Sequence, residues 1–242
     1  MASPCLPFVS SSPLLLTQVH LKYFTIEGVA ETLRHVMALG GIEWTEAAYA
    51  LDMKKLDFKD IPGTMPKASP DFAAAKTSGE LDVNLGRGPV IVVDDSLEIG
   101  QSKTIERYLA RRLGLFGKSE AEAAQIDAIT EHCRDIKDKY QKAKTDKEEK
   151  AKFFAKEMPE FMQKMDKAIE KVGPKGGPAL VGSSLSLADV TLFVFLKDFF
   201  DDKDLAAASI SKCPRLLASV KATGEHPLVA AYRAKRDAAK KK

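Results

Sequence analysis

Cysteine is scarce in this chain, charge is missing from its start, and no apolar run is long. No apolar stretch reaches the roughly 18 residues of a membrane-spanning helix, which excludes an integral helical membrane protein. Only 3 cysteines occur, Cys5, Cys133 and Cys213, far apart, odd in number and without a C-x-x-C pair. That pattern argues for a reducing compartment and against a dithiol redox enzyme. Together with 4 scattered histidines it provides no zinc-ligand spacing, so no metal is expected. A concentrated basic face is lacking too: the formal net charge is +3 with the signs mixed along the chain, so nucleic acid is not an expected partner. The basic run Lys235, Arg236, Lys240, Lys241 and Lys242 closes the chain and reads as a solvated helix end, with residues 237–242 as a basic tail.

Residues 1–19, MASPCLPFVSSSPLLLTQV, carry no charged side chain, and the first acidic residue of the protein is Glu27. Pro4, Pro7 and Pro13 interrupt what would be the apolar stretch of a secretory signal, and the arginine usual in transit peptides is missing. The first reading is a disordered extension on a cytoplasmic protein; the second is an organelle address.

What is present fits a soluble globular protein with a sizeable core: 45% hydrophobic and 29% charged residues. A length of 242 residues makes two domains natural. HLKYFT (20–25) reads as a strand. In EGVAETLRHVMALGG the apolar Val29, Leu33, Val36 and Met37 fall on one helical face, with a stop at Gly40–Gly41. Ile42 and Trp44 alternate as in a second strand. The segment 50–70, with three prolines and no clean period, reads as loop. PVIVVDDSLEI (89–99) predicts a hairpin turning at Asp94–Asp95, and Ser102 is placed to cap a helix on which Ile105, Leu109 and Leu113 stack. The order is that of a small α/β domain over 20–115, with helices on one face of a mixed sheet. From about 119 to 236 the pattern is almost wholly helical, with breaks at 173–178, 201–213 and 224–227. Within it Ser186 and Asp189 predict a capping box before a helix apolar nearly all round, a motif for folding rather than chemistry.

Several ordered pieces carry a resemblance: LKYF followed by G-x-A-E (21–31), LGRGPVIVVDD (85–95), GQSKTIERYL (100–109), IDAI (126–129), SLAD (186–189) and CPRLLASV (213–220). In these the chain resembles the cytosolic glutathione transferases, most closely the sigma class that includes the glutathione-dependent prostaglandin D synthases. The resemblance covers about Leu21 to Arg236. It implies a thioredoxin-like N-terminal α/β domain, an all-α C-terminal domain and a homodimer, with glutathione as co-substrate and no further cofactor. Position by position it implies Tyr23 as the catalytic residue that stabilises the thiolate. It implies Phe72 and Lys76 at the glycine end of glutathione, Gly88–Pro89 as the cis-proline turn that pairs with the cysteinyl part, and Gln101 and Ser102 at the γ-glutamyl carboxylate. Asp135 falls at the acidic position that reaches the partner subunit's glutathione.

The residue types suit the chemistry. A helix start at Ser102 offers N–H groups and the positive end of the dipole to a carboxylate, and a tyrosine hydroxyl can donate to sulfur. Two departures stand out. The sigma pattern has an arginine in R-G-R-A-E where this chain reads Glu27-Gly28-Val29-Ala30-Glu31, which predicts weaker polarisation beside Tyr23. Arg134–Asp135 stands where prostaglandin D synthases pair two acidic residues, which weakens the case for a divalent-ion effect. The expected activity is conjugation of glutathione to hydrophobic electrophiles. The alternatives are isomerisation of lipid endoperoxides and a non-catalytic, crystallin-like relative.

Overall fold

A computed structural model describes residues 18–57 and 59–240; the expectations for the first 17 residues and for Lys241 and Lys242 lie outside them. Four strands form one mixed sheet: β1 (Val19–Phe24), β2 (Thr45–Tyr49), β3 (Val90–Val93) and β4 (Leu97–Gly100), in the order β2-β1-β3-β4. β2 runs parallel to β1, while β3 is antiparallel to β1 and β4 to β3. Side chains alternate across β1, so Val19, Leu21 and Tyr23 are buried on one face and His20, Lys22 and Phe24 are half-buried on the other. The hairpin turns as expected, with Asp94 and Asp95 both left-handed at φ 50° and 55°, a conformation short polar side chains tolerate.

Four helices accompany the sheet: α1 (Glu31–Leu39), α2 (Ile61–Ala68), α3 (Pro70–Thr77) and α4 (Ser102–Arg112). Leu33, Val36 and Met37 of α1 and Ile105 and Leu109 of α4 join the core that also takes Leu21, Tyr23 and Ile91. The opposite face is covered as well, because Phe72 and Ala75 of α3 pack with Tyr49, Leu81 and Val90 in a second, smaller cluster. Helices on one face only was therefore the wrong expectation. Three other expectations are corrected. The second strand starts at Thr45, just beyond Ile42 and Trp44. The segment read as loop holds α2: Asp60 accepts from the Gly63 amide at 3.0 Å, and Pro62 stands in the first turn, where its missing N–H costs nothing. Val29 lies off the apolar face of α1, in a short 3-10 turn (Gly28–Ala30), and is 39% exposed.

The C-terminal domain is helical: α5 (Glu120–Ala143), α6 (Lys147–Lys152), α7 (Met158–Val172), α8 (Leu187–Val194), α9 (Lys203–Ala208), α10 (Pro214–Glu225) and α11 (Pro227–Ala239). α9 occupies part of the segment expected to be a break. α8 is buried along its whole length and packs against α1, α4, α5 and α10, so that it joins the two domains, as does α11, which packs on α1. No helix among the described residues is long and apolar enough to cross a membrane.

The capping box at Ser186 and Asp189 forms. Asp189, fully buried, accepts from the Leu180 and Ser186 amides, both at 2.9 Å, and from the Ser186 and Ser219 hydroxyls at 2.9 and 2.7 Å. Removing it leaves several buried donors without a partner, each costing about 1–3 kcal/mol. Asp189→Ala is therefore expected to lower the unfolding free energy in urea by about 3 kcal/mol or more. A loss under about 1 kcal/mol would contradict this account of the helix start.

Candidate functional site

Tyr23 ends the inward-facing row of β1 with its ring between two glycines. A Cβ at Gly28 would stand 2.5 Å from the hydroxyl oxygen, and one at Gly88 would stand 3.1 Å from ring atom Cδ2. Gly28 also has φ 46°, so both its backbone and its neighbour require glycine. The Val29 amide donates to Tyr23 Oη at 3.2 Å. A phenol has one donor and an acceptor oxygen, so this bond occupies the oxygen and leaves the O–H to point at something else. Tyr23 is 6% exposed. Burial pushes its pKa above the usual 10.0, opposed by the Val29 bond and by the Arg34 guanidinium, which lies 5.9 Å from the ring centre. At neutral pH the group is a neutral hydrogen-bond donor.

Strand register brings other expected site residues level with Tyr23. Lys22 pairs with Val90, and Val90 pairs with Gly100. Tyr23, Pro89 and Gln101 are the next residues outward on three adjacent strands, so they share one edge of the sheet. The Gly88–Pro89 peptide is cis. Asn84, buried, ties this edge together: its Nδ2 donates to the Arg87 and Pro89 carbonyls, both at 3.0 Å, and its Oδ1 accepts from the Gln101 amide at 3.2 Å. Gln101 has φ 68°, sparsely populated for a residue with a side chain, and is exposed.

Ser102 does not cap α4, as had been expected; it is the first residue of the helix, and no side chain caps the start. The first-turn N–H groups and the positive dipole end therefore stand beside the edge that Tyr23 and Pro89 occupy. Lys76 is exposed and lays its stem over Gly86, its Cε 2.9 Å from where a Cβ there would stand, so it borders the loop before Pro89. Phe72 goes elsewhere. Its ring lies 4.5 Å from that of Phe24 and 5.6 Å from that of Tyr49, inside the smaller cluster beneath the sheet. Asp135 lies on the exposed side of α5.

The sequence reading missed Asn84 and the charged residues of α1. Arg34 donates to the carbonyls of Phe24 at 3.2 Å and Ile26 at 3.0 Å, and to Glu46, with its closest contact at 2.8 Å. The Trp44 indole donates to the same carboxylate at 2.7 Å. His35 donates from Nδ1 to the Glu31 carbonyl at 2.9 Å, and burial lowers its pKa against the pull of Glu31. The available signal was a Glu-x-x-Arg-His pattern, with charges three and four apart, inside an otherwise apolar helix.

Comparison with known proteins gives a consistent picture. Residues 131–236 match the family model described as glutathione S-transferase, C-terminal domain. The hematopoietic prostaglandin D synthase of Gallus gallus is 30% identical over 221 residues, which is 89% of this chain and 95% of that protein. The glutathione S-transferase P 1 of Xenopus laevis is 27% identical over 213 residues, 88% of this chain and 90% of that protein. Among solved structures, the pi-class glutathione S-transferase of Onchocerca volvulus superposes with a TM-score of 0.72 at 28% identity, covering 92% of this chain and 95% of that one.

The raised pKa of Tyr23 has a consequence for stability. An unfolded tyrosine releases its proton near 10.0 while the folded one still holds it, so folding stability falls as pH rises above that value. Urea unfolding across the alkaline range should show this fall, and Tyr23→Phe should make it shallower. An equally steep fall in the variant would show that the hydroxyl is not held neutral by burial.

Proposed function

From the premise that this chain belongs to the glutathione S-transferase family, we propose that it binds reduced glutathione and transfers its thiol to electrophilic small molecules. Tyr23 donates its O–H to the sulfur and stabilises the thiolate. The observation that carries this reading is the buried neutral hydroxyl of Tyr23, its oxygen fixed by the Val29 amide at the edge shared with Gly88–Pro89 and Gln101. An extended tripeptide laid along that edge has backbone partners at Gly88–Pro89 for its cysteinyl part. Its γ-glutamyl carboxylate then meets Gln101, Ser102 and the uncapped start of α4, where donors and dipole favour an anion. Lys76, bordering the loop before Pro89, takes the glycine carboxylate in this reading. Phe72 contributes by supporting α3 from below.

In the reaction the thiol proton goes to solvent, the sulfur lone pair forms the bond to the electrophilic carbon, and the leaving group departs with the bonding pair. Lowering a thiol pKa from about 8.5 to about 6.5 raises the thiolate fraction at pH 7 from roughly 3% to roughly 75%. The same drop reduces intrinsic nucleophilicity close to tenfold at a Brønsted slope of about 0.45. The net gain is a few-fold, so most of the acceleration comes from holding the electrophile beside the sulfur.

The chain motifs and the likeness to a hematopoietic prostaglandin D synthase support placement in the sigma class. They also support a second reading, a glutathione-dependent isomerase of lipid endoperoxides. We further propose a cytoplasmic homodimer in which Asp135 reaches the partner's glutathione.

Glutathione conjugation to a generic aryl halide across pH 6–9 tests the main reading. Wild type is expected to show an apparent thiol pKa below the free value, with Tyr23→Phe slower by a few-fold at pH 7 and its thiol pKa moved up toward the free value. If both proteins bind glutathione and both are inactive, the protein is a non-catalytic binder. Ser102→Ala is expected to weaken glutathione binding by about tenfold with little change in that pKa; unchanged affinity by calorimetry would remove Ser102 from the site.

A further inference from the structure

The turn that supplies the Val29 amide is only three residues long, Gly28–Ala30, and a glutamate flanks it on each side. Both glutamates are held by the same distant helix. Lys240, just past the end of α11, pairs with Glu27. Arg236 of α11 donates from Nη1 to Glu31 Oε1 at 2.6 Å, and the Tyr232 hydroxyl donates to the same oxygen at 3.1 Å. From these contacts we infer that α11 is a positioning element for Tyr23, clamping the Gly28–Ala30 turn from both sides and so fixing the amide that orients the catalytic hydroxyl. The inference rests on the reading of Tyr23 given above.

Glu31 is 1% exposed, and every group that faces it fits this role. From its own helix, Arg34 Nη1 lies 3.4 Å from Oε2 and His35 Nδ1 lies 3.4 Å from Oε1. From α11 come Tyr232 and Arg236. The segment after α8 adds Asp198, which accepts from Arg233 at 2.7 Å and lies 3.3 Å from Arg236. Glu31, His35 and Asp198 have the spacing of a metal cluster, with ligand atoms within 4.8 Å of one another. Their carboxylates are already paired with Arg34, Arg233 and Arg236, so the arrangement is an ion-pair network. Arg236 contacts both Glu31 and Asp198 and is largely buried, at 11% exposure of its side chain.

The contacts act on the turn by leverage. Glu31 opens α1 directly after Ala30, and Glu27 directly precedes Gly28. With both neighbours pinned, the Val29 N–H has little freedom to leave Tyr23 Oη. Released at either side, the turn can rotate, and the hydroxyl loses the bond that orients its proton toward the sulfur. A merely structural contact between domains would affect folding and glutathione affinity and leave the chemistry of the bound thiol unchanged.

The test uses the full chain with Arg236→Gln, Arg236→Lys, Tyr232→Phe and Lys240→Met, each checked for folding by circular dichroism. Conjugation kinetics across pH 6–9 give kcat, the KM for glutathione and the apparent thiol pKa. Arg236→Gln is expected to lower kcat about two- to threefold at pH 7 and to move the thiol pKa up toward the free value, with the KM for glutathione changed less than about twofold. Arg236→Lys should restore most of kcat, and Tyr232→Phe and Lys240→Met should show smaller shifts of the same sign. Lys240, at 51% side-chain exposure, can be replaced without opening the core, so the inference stays testable if Arg236→Gln does not fold. A thiol pKa that depends on Tyr23 but not on Arg236 or Lys240 overturns the clamp alone. A thiol pKa that ignores Tyr23 as well overturns the functional reading and the clamp with it.

Discussion

One hydrogen bond organises this molecule: the Val29 amide to the Tyr23 hydroxyl. It forms only because several segments close on the same ring. β1 delivers Tyr23 to the edge of the sheet, Gly88 leaves room on one side, and Gly28 leaves room on the other while taking a left-handed backbone. The pairing of β1 with β3 and of β3 with β4 then sets Pro89 and Gln101 level with the tyrosine. Asn84 joins the loop before Pro89 to Gln101, so the three strand ends form one connected edge.

The electrostatics follow from the same geometry. The ligand proposed for this edge is anionic; Lys76 borders its glycine end, while the sulfur would meet a neutral hydroxyl and the γ-glutamyl end backbone amides and a helix start. Val29 places no guanidinium beside the tyrosine. Arg34, the cation nearest the ring, is committed to Glu46 and to the carbonyls of Phe24 and Ile26. On the proposed reading, activation of the sulfur depends on an oriented, buried donor, whose hydrogen bond is stronger there than in water. That reading gives precise positioning more weight than local charge, and it fits the ties from a helix more than 200 positions away in the chain to both ends of a three-residue turn.

Much of this was legible in the order of short motifs. The strand that carries Tyr23, the hairpin through Asp94–Asp95 and the capping box at Ser186 and Asp189 reflect strong local chemistry, while the cis bond before Pro89 was implied by the resemblance. Other features were hidden for physical reasons. The prolines between 50 and 70 signalled loop, yet Pro62 and Pro70 stand in first helical turns, where proline is well tolerated. Phe72 looked like a ligand contact but serves the second face of the sheet, which no periodicity in so short a helix reveals. Glu31, Arg34 and His35 would ordinarily face water. Here α1 is buried along its whole length between α4, α8 and α11, so its charges find partners that only the tertiary structure brings near.

The central claim is that the Tyr23 hydroxyl stabilises the glutathione thiolate, and the most direct measurement is ultraviolet titration of the thiolate in the binary complex, without any electrophile. The account predicts a bound thiol that ionises clearly below the free value of about 8.5 in wild type and returns toward it in Tyr23→Phe. A bound thiol that titrates at the free value in wild type would contradict it.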